Sequence, residues 1–376
     1  MASSFATFFF LFLSTVPLLA SLSEAQPAPP LARGLSWSFY KSSCPKVETI
    51  VRRYLEKAFK KDIGLAAALL RVHFHDCFVQ GTGRHVLFWY SLLPEHWNSA
   101  VAVAGCDASV QLDGSAGGPS EKQAPPNLTL RPAAFAAINE IRDLLEKQCG
   151  RVVSCSDISA LAARDSVHLS GGPNYRVPLG RRDGLTFATR NTTLEFLPPP
   201  TSKTPALITA LAKLNLDVND LVALSGGHTI GIGHCGSFSN RLYPSQDPVM
   251  EKTFARNLYG TCPASNSNNT TVLDIRSPNR FDNKYYVDLM NRQGLFTSDQ
   301  DLYTDKQTRG IVTSFAVDQQ LFYERFAYSM VKMGQLSVLT GNQGQVRANC
   351  SAPNPTSSSD DALRTVVDGE GRSSAF

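Results

Sequence analysis

Residues 70–80 read Leu-Arg-Val-His-Phe-His-Asp-Cys-Phe-Val-Gln, and the Leu- and Ala-rich sequence leading in from Ala66 predicts a buried helix. On a helix, Arg71 and His75 stand four residues apart and project from one face. An imidazole accepts and returns a proton near neutral pH. A permanently charged guanidinium beside it stabilises negative charge that develops during a reaction. The pair suits heterolysis of an O–O bond, in which one oxygen gains a proton and the other leaves as hydroxide. Plainer readings compete: His73 as a hydrogen-bonded core histidine and Arg71 as a snorkelling surface group. His73 and His75 also form a His-x-His pair, which opens the alternative of a zinc-dependent hydrolase. That class, however, wants His-x-His-x-Asp-His, and here Asp76 follows His75 directly, with Cys77 after it.

A second histidine lies far downstream, in Asp220-Leu221-Val222-Ala223-Leu224-Ser225-Gly226-Gly227-His228-Thr229-Ile230-Gly231. The glycines allow a planar group or another backbone to approach closely, and His228 sits just past a helical stretch. One histidine on each side of a planar cofactor would place His228 on iron and His75 at the open coordination position.

The elements that must carry these residues are mostly helices. Helical periodicity runs over Val47–Lys61, Ala133–Cys149, Ser156–Leu169, Pro205–Leu214, Asp217–Leu224, Phe281–Gln293 and Phe315–Met333. Strand signals are short and sparse, so the fold class is mainly α. The chain has 376 residues, enough for one large domain or two lobes. Its net charge of +4 is dispersed, unlike the clustered basic stripe of a nucleic-acid binder. Residues 1–25 read as a signal peptide, with an apolar run from Phe8 to Val16 and a small-residue cleavage signal at Ser23–Ala25. No later apolar run is long enough to span a bilayer, so an exported protein with no membrane segment is expected. A Pro-rich lead (26–34) and a Ser-, Asp- and Gly-rich tail (351–376) are expected to be flexible. The eight cysteines, Cys44, Cys77, Cys106, Cys149, Cys155, Cys235, Cys262 and Cys350, read as four disulfides, among 105 possible connectivities. Sequons at Asn191, Asn268 or Asn269, with Asn127 and Asn349 also matching, fit surface glycosylation.

From Leu35 to Cys350 the chain resembles the secretory plant peroxidases of the horseradish type, the class III haem peroxidases. The resemblance is carried by Phe39-Tyr40 with Ser43-Cys44-Pro45, Arg71 through Val79, Gly105-Cys106-Asp107-Ala108-Ser109-Val110, Val177 through Asp183, the His228 motif, and Phe281-Asp282-Asn283-Lys284-Tyr285-Tyr286. It implies a two-lobed, mainly helical fold with one haem b between a distal and a proximal lobe. It also implies reduction of H2O2 with one-electron oxidation of phenolic donors, as in peroxide removal, lignin-type oxidation and the response to oxidative stress. His75 would be the distal acid–base group, Arg71 the stabiliser of the cleaving peroxide, and Phe74 a pocket wall. Asn127 would hold His75, which makes its sequon a poor glycosylation site. His228 would be the axial iron ligand and Asp299 the acceptor of its ring N–H. Pro178 would offer a carbonyl to phenolic donors at the haem edge. Two Ca²⁺ are implied: a distal one on Asp76, Val79, Gly105, Asp107, Ser109 and, through water, Glu121, and a proximal one on Thr229, Asp274, Ser277, Arg280 and Asp282. Ser277 stands where threonine is usual. The implied disulfides are Cys44–Cys149, Cys77–Cys106, Cys155–Cys350 and Cys235–Cys262. A monomer, secreted to the cell wall or, given the tail, sorted to the vacuole, completes what the resemblance implies.

One segment departs from the family. Gly81 to Ala104 is inserted between Cys77-Phe78-Val79-Gln80 and Gly105-Cys106-Asp107, and it carries two of the three tryptophans, Trp89 and Trp97. It lengthens the loop between Cys77 and Cys106 from about six residues to about thirty, a closure cost of only ~1.4 kcal/mol. It also separates two distal calcium ligands, Val79 and Gly105. The alternative it opens is a secreted, haem-binding protein whose turnover is impaired. Its foreign composition between two intact motif halves fits a retained intron. Sequencing of mature transcripts is expected to find most of them without these codons, and their presence in most transcripts contradicts that origin.

Overall fold

The structure, a computed structural model, describes residues 28–79, 105–114 and 120–355. The signal segment, the insert at 81–104 and the tail from residue 356 lie outside the described residues. Helix α1 (Val47–Lys61) buries Val47, Val51, Leu55 and Phe59, one residue per turn. Its first turn carries Glu48 and its last Lys60 and Lys61, matching the helix dipole. Helix α2 (Gly64–Phe78) is buried along nearly its whole length. It packs against α4 (Cys155–Leu169), where Ala160, Ala162 and Ala163 let the two backbones come close. Ser154 caps α4 by accepting from Asp157 N. Helix α3 (Pro132–Cys149) starts with proline in its first turn and ends at Gly150, whose φ of 73° suits glycine.

A second helical group follows: α5 (Arg190–Phe196), α6 (Thr204–Ala212), α7 (Val218–Ser225), α8 (Lys252–Thr261), α9 (Lys284–Met290), α10 (Thr297–Thr304), α11 (Arg309–Val317) and α12 (Gln319–Met333). Asp217 and Asp220 form a reciprocal capping box at the start of α7. The strands among the described residues are β1 (Ile232–His234) and β2 (Thr270–Val272), paired antiparallel with Gly233 opposite Thr271. One large core joins α1–α4 to α7, α9, α11 and α12, and a smaller one gathers around the Cys235–Cys262 disulfide. The fold is mainly α, as expected, and all four implied disulfides form.

Several elements differ from the periodicity, among them α5, α8 and α10, which it does not register. Helix α9 begins only at Lys284, because Asp282 Oδ1 accepts from Lys284 N and the Asn283 amide donates to Phe315 O and Ala316 O. The run Phe315–Met333 breaks at Asp318, which is extended (φ −125°, ψ 97°) and caps α12 by accepting from Leu321 N. Helix α10 is too polar for hydrophobic periodicity to reveal. Both ends of the domain are tied to it: Ala32 N donates to Gln335 Oε1, Thr340 Oγ1 donates to Arg33 O, and Asn354 bonds to Val346 and Gln345.

Behind α2, Asp157 of α4 holds a buried junction. Its carboxylate accepts from Tyr40 OH at 2.8 Å, Gly180 N at 2.7 Å and Arg181 Nη1 at 2.8 Å. Asp157→Ala strands a buried guanidinium and is expected to cost ~3–5 kcal/mol. Denaturant unfolding checks this; a loss under about 1 kcal/mol contradicts it.

Candidate active site

Helix α2 sets Arg71 and His75 one turn apart, and the chain returns through a short 3₁₀ turn, Pro125–Asn127, to meet them. His75 Nδ1 lies 2.6 Å from Asn127 Oδ1, and Asn127 Nδ2 donates to Glu121 O at 2.8 Å. Because the asparagine oxygen is the acceptor, Nδ1 carries the hydrogen and Nε2 presents its lone pair. Arg71 Nε donates to that Nε2 at 3.1 Å, while its two outer nitrogens are pinned by Thr129 O and Pro126 O. Burial, and then the Arg71 charge, push the His75 imidazole down to about 3, against the opposing pull of Asn127. It is therefore a neutral base at physiological pH. Burial lowers Arg71 only to about 10, so it stays charged there. Phe74 meets His75 edge to face at 5.1 Å.

His73 lies about 200° around the helix from His75. It is buried, with Cys77 Sγ 3.7 Å from its Nδ1, and burial followed by the Arg181 charge lowers it to about 3. The two histidines thus face opposite sides of α2 and are not a chelating pair, which removes the zinc-hydrolase arrangement. Pro178 belongs with His73. Both line a cavity of about 10 Å³, and the Pro178 carbonyl accepts from Arg181 Nη1 at 2.7 Å. The expectation that the Pro178 carbonyl is offered to phenolic donors at the haem edge is therefore corrected: it is taken by Arg181 on the His73 side of α2, and an isolated proline in a turn gives no sequence signal of which face it joins. A different segment flanks the site. Helix α5 packs against the Pro125–Asn127 turn, and Pro200 O, a few residues on, accepts from Ser298 N beside Asp299.

His228 lies within a 3₁₀ turn, Gly226–Thr229, after α7. A Cβ on Gly227 would meet Leu70 at 3.5 Å and one on Gly231, at φ 104°, would meet Ala67 at 3.0 Å. Ala67, Leu70, Arg71, Phe74 and His75 share one face of α2, so the His228 turn confronts the stripe that carries His75. Gly226 serves packing instead: a Cβ there would fall 2.3 Å from Tyr286 OH. His228 Nδ1 lies 2.7 Å from Asp299 Oδ1, with the histidine side chain 38% exposed and the aspartate 2%. Its Nε2 is the nitrogen left to bind a metal. Asp299 is held in turn by Phe296 N on Oδ2 (2.9 Å) and Tyr285 OH on Oδ1 (3.0 Å). Tyr285 and Phe296, both edge-on to the His228 ring, are site residues that motif reading missed. Two histidines whose Nδ1 hydrogens are each taken by an acceptor, one on α2 and one on the turn packed against the same face of α2, fit a haem held by His228 with His75 opposite.

The two oxygen sets fit hard cations. Asp76 Oδ1, Asp107 Oδ2, Ser109 Oγ and Glu121 Oε2 are all buried without a hydrogen-bond partner. Burial pushes Asp76 up to about 7; burial and then Asp76 push Glu121 up to about 7 and Asp107 well above the carboxylate range. No group of three or more His, Cys, Asp or Glu reads as a metal site by side chains alone among the described residues. The set depends on mixing hydroxyl and carbonyl oxygens, as calcium sites do. Val79 and Gly105, the expected carbonyl donors on either side of the insert, stand two residues and one residue from Cys77 and Cys106, whose disulfide sets their Cα atoms 4.0 Å apart. The second set is also gathered. Thr229 Oγ1 donates to Asp274 Oδ2 at 3.0 Å and lies 3.4 Å from Arg280 O, and Ser277 Oγ donates to Asp282 Oδ1 at 2.9 Å. Asn127 is buried, closing its sequon, whereas Asn191, Asn268 and Asn269 are exposed.

A family model described as Peroxidase matches residues 51–318. The chain is 60% identical over 345 residues to Peroxidase 12 of Arabidopsis thaliana, covering 92% of this chain and 89% of that protein. It is 60% identical over 327 residues to cationic peroxidase SPC4 of Sorghum bicolor, covering 87% and 84%. Peroxidase 14 of Arabidopsis thaliana is 42% identical over 325 residues, covering 85% of this chain and 89% of that protein.

The orphaned distal oxygens generate a pH-dependent prediction. Carboxyls whose folded pKa is raised cost stability as they ionise. The metal-free protein therefore loses stability as pH rises from the ordinary carboxylate range, about 4, through about 7. Calcium offsets that loss. Melting temperature in chelator is expected to fall from pH 5 to pH 8, and added Ca²⁺ to raise it more at pH 8. Asp107→Asn is expected to lose most of the response. A melting temperature indifferent to Ca²⁺ at both pH values contradicts the cation reading.

Proposed function

The chain belongs to the peroxidase family, among the class III plant enzymes, and from that premise we propose how its residues divide the work of reducing hydrogen peroxide. It is a haem-dependent peroxidase. Bound haem would supply the iron at which peroxide is reduced and would store the two oxidising equivalents that donors then discharge one electron at a time. His228 Nε2 holds that iron. Asp299 draws on the opposite ring hydrogen and makes the imidazole a stronger electron donor.

On the other side, His75 Nε2 takes the proton from the peroxide hydroxyl and returns it to the departing oxygen. Asn127 keeps the hydrogen on Nδ1, so Nε2 is the nitrogen that cycles. Arg71 stands where negative charge grows on the leaving oxygen, and its two carbonyl contacts keep it from collapsing onto solvent. The observation that carries this reading is the pair of Nδ1 hydrogen bonds, His75 to Asn127 and His228 to Asp299. Together they leave each Nε2 as the nitrogen available for chemistry, on a helix and a turn that pack against each other.

Further assignments follow from the same premise. The group is one haem b, and the donors are small phenols oxidised one electron at a time. One Ca²⁺ sits on Asp76, Val79, Gly105, Asp107, Ser109 and Glu121, and another on Thr229, Asp274, Ser277, Arg280 and Asp282. The protein acts as a monomer, exported after loss of residues 1–25, to the cell wall or, through residues 351–376, to the vacuole. No helix among the described residues is long and apolar enough to cross a membrane.

The test is stopped-flow absorbance of the haem-loaded chain mixed with H2O2. His75→Leu is expected to slow the peroxide reaction by at least about 10²–10⁴-fold while leaving haem binding intact. Since His75 stays neutral down to about 3, the unmodified rate is expected to be flat from about pH 5 to 8. A His75→Leu rate near that of the unmodified chain contradicts the assignment.

A further inference from the structure

Asp299 Oδ1 has two donors. The His228 ring hydrogen reaches it at 2.7 Å and the Tyr285 hydroxyl at 3.0 Å, while Oδ2 is taken by Phe296 N at 2.9 Å. Hydrogen bonds to one oxygen compete. The charge that Oδ1 gives to the phenol is charge it cannot give to the imidazole. We propose that Tyr285 is a positioning residue that tunes the His228 ligand: its hydroxyl holds back Asp299 and so sets the reduction potential of the bound haem iron. This rests on the haem reading above.

The geometry gives Tyr285 little freedom to do otherwise. Its side chain is 1% exposed and stands edge-on to His228 on one side and to Tyr286, at 5.0 Å, on the other. The backbone that carries it is anchored immediately upstream. The Asn283 amide donates to Phe315 O and Ala316 O, and Asp282 Oδ1 accepts from Lys284 N. Two other tyrosines also bond carboxylates, Tyr40 to Asp157 and Tyr54 to Glu140, but neither carboxylate touches a histidine. Tyr285 alone among these three shares its acceptor oxygen with a histidine ring nitrogen, that of His228.

The sign follows from the competition. With the hydroxyl present, part of the carboxylate charge is neutralised, the His228 N–H is pulled less, and the ring donates less electron density. Removing the hydroxyl strengthens the Asp299–His228 bond, favours the ferric state and lowers the potential. Making the phenol a stronger donor does the reverse.

The experiment is spectroelectrochemical titration of the haem-loaded full chain. Tyr285→Phe, which keeps the ring and its packing, is expected to lower the ferric/ferrous potential. Site-specific 3-fluorotyrosine at position 285, a more acidic phenol, is expected to raise it. Opposite shifts support the proposal, since a merely structural role has no reason to respond to fluorine with the reverse sign. A potential unmoved by the fluorophenol, or shifts of one sign in both, overturns it. Should Tyr285→Phe fail to fold, the fluorotyrosine shift decides alone. A chain that yields no Soret band with haem contradicts the haem reading itself. One that binds haem but ignores both changes contradicts only the tuning.

Discussion

Each of the two site histidines has its Nδ1 hydrogen committed to an acceptor, and the site depends on that constraint. An unconstrained imidazole exchanges tautomers and rotates, so neither nitrogen could be relied on as base or ligand. Asn127 and Asp299 remove that freedom in different ways. A neutral amide oxygen fixes the His75 tautomer without charging the ring, which suits a group that must take up and release a proton. An ionisable carboxylate on His228 instead raises the electron density of the ring, which suits a ligand. The same hydrogen-bond position thus gives two roles, and the acceptor's chemistry decides which.

The surrounding fold serves those two bonds. Glu121 ties the distal side together: its carbonyl accepts from Asn127 Nδ2, while its carboxylate borders Asp76, Asp107 and Ser109. Filling the oxygen cluster therefore steadies the residue that steadies Asn127, and through it His75. On the proximal side Thr229 follows His228 directly and bonds Asp274. Asp282, in the same oxygen set, holds the start of the helix that carries Tyr285. Each oxygen set is one or two residues removed from the hydrogen bond that orients its histidine.

Much of this was legible in the sequence. Four-residue spacing put Arg71 and His75 on one helix face, and Val47–Lys61 is bounded as its apolar period predicts. The cysteine pairing came from the family pattern, since spacing alone leaves it open. What stayed hidden depends on side-chain direction or on distant partners. Asp299 carries no local pattern and was reached only through the family resemblance, and Tyr285 acquires its role only because α9 and α10 fold back onto the turn after α7. Asp318 ends one helix and starts the next through its own carboxylate, a local bond that apolar periodicity does not register. Pro178 was matched to the haem edge although its carbonyl is taken by Arg181, because a motif match gives position along the chain and not which side of a helix the segment packs on.

The most direct test of the central claim is a haem titration of the chain, followed by absorbance, with and without His228→Ala. The account predicts saturation at one equivalent, giving a five-coordinate ferric spectrum. His228→Ala abolishes that spectrum, and added imidazole restores it. His75, held by Asn127 and Arg71, stays off the iron throughout. A six-coordinate spectrum from two histidines, or a spectrum unchanged by His228→Ala, would contradict it.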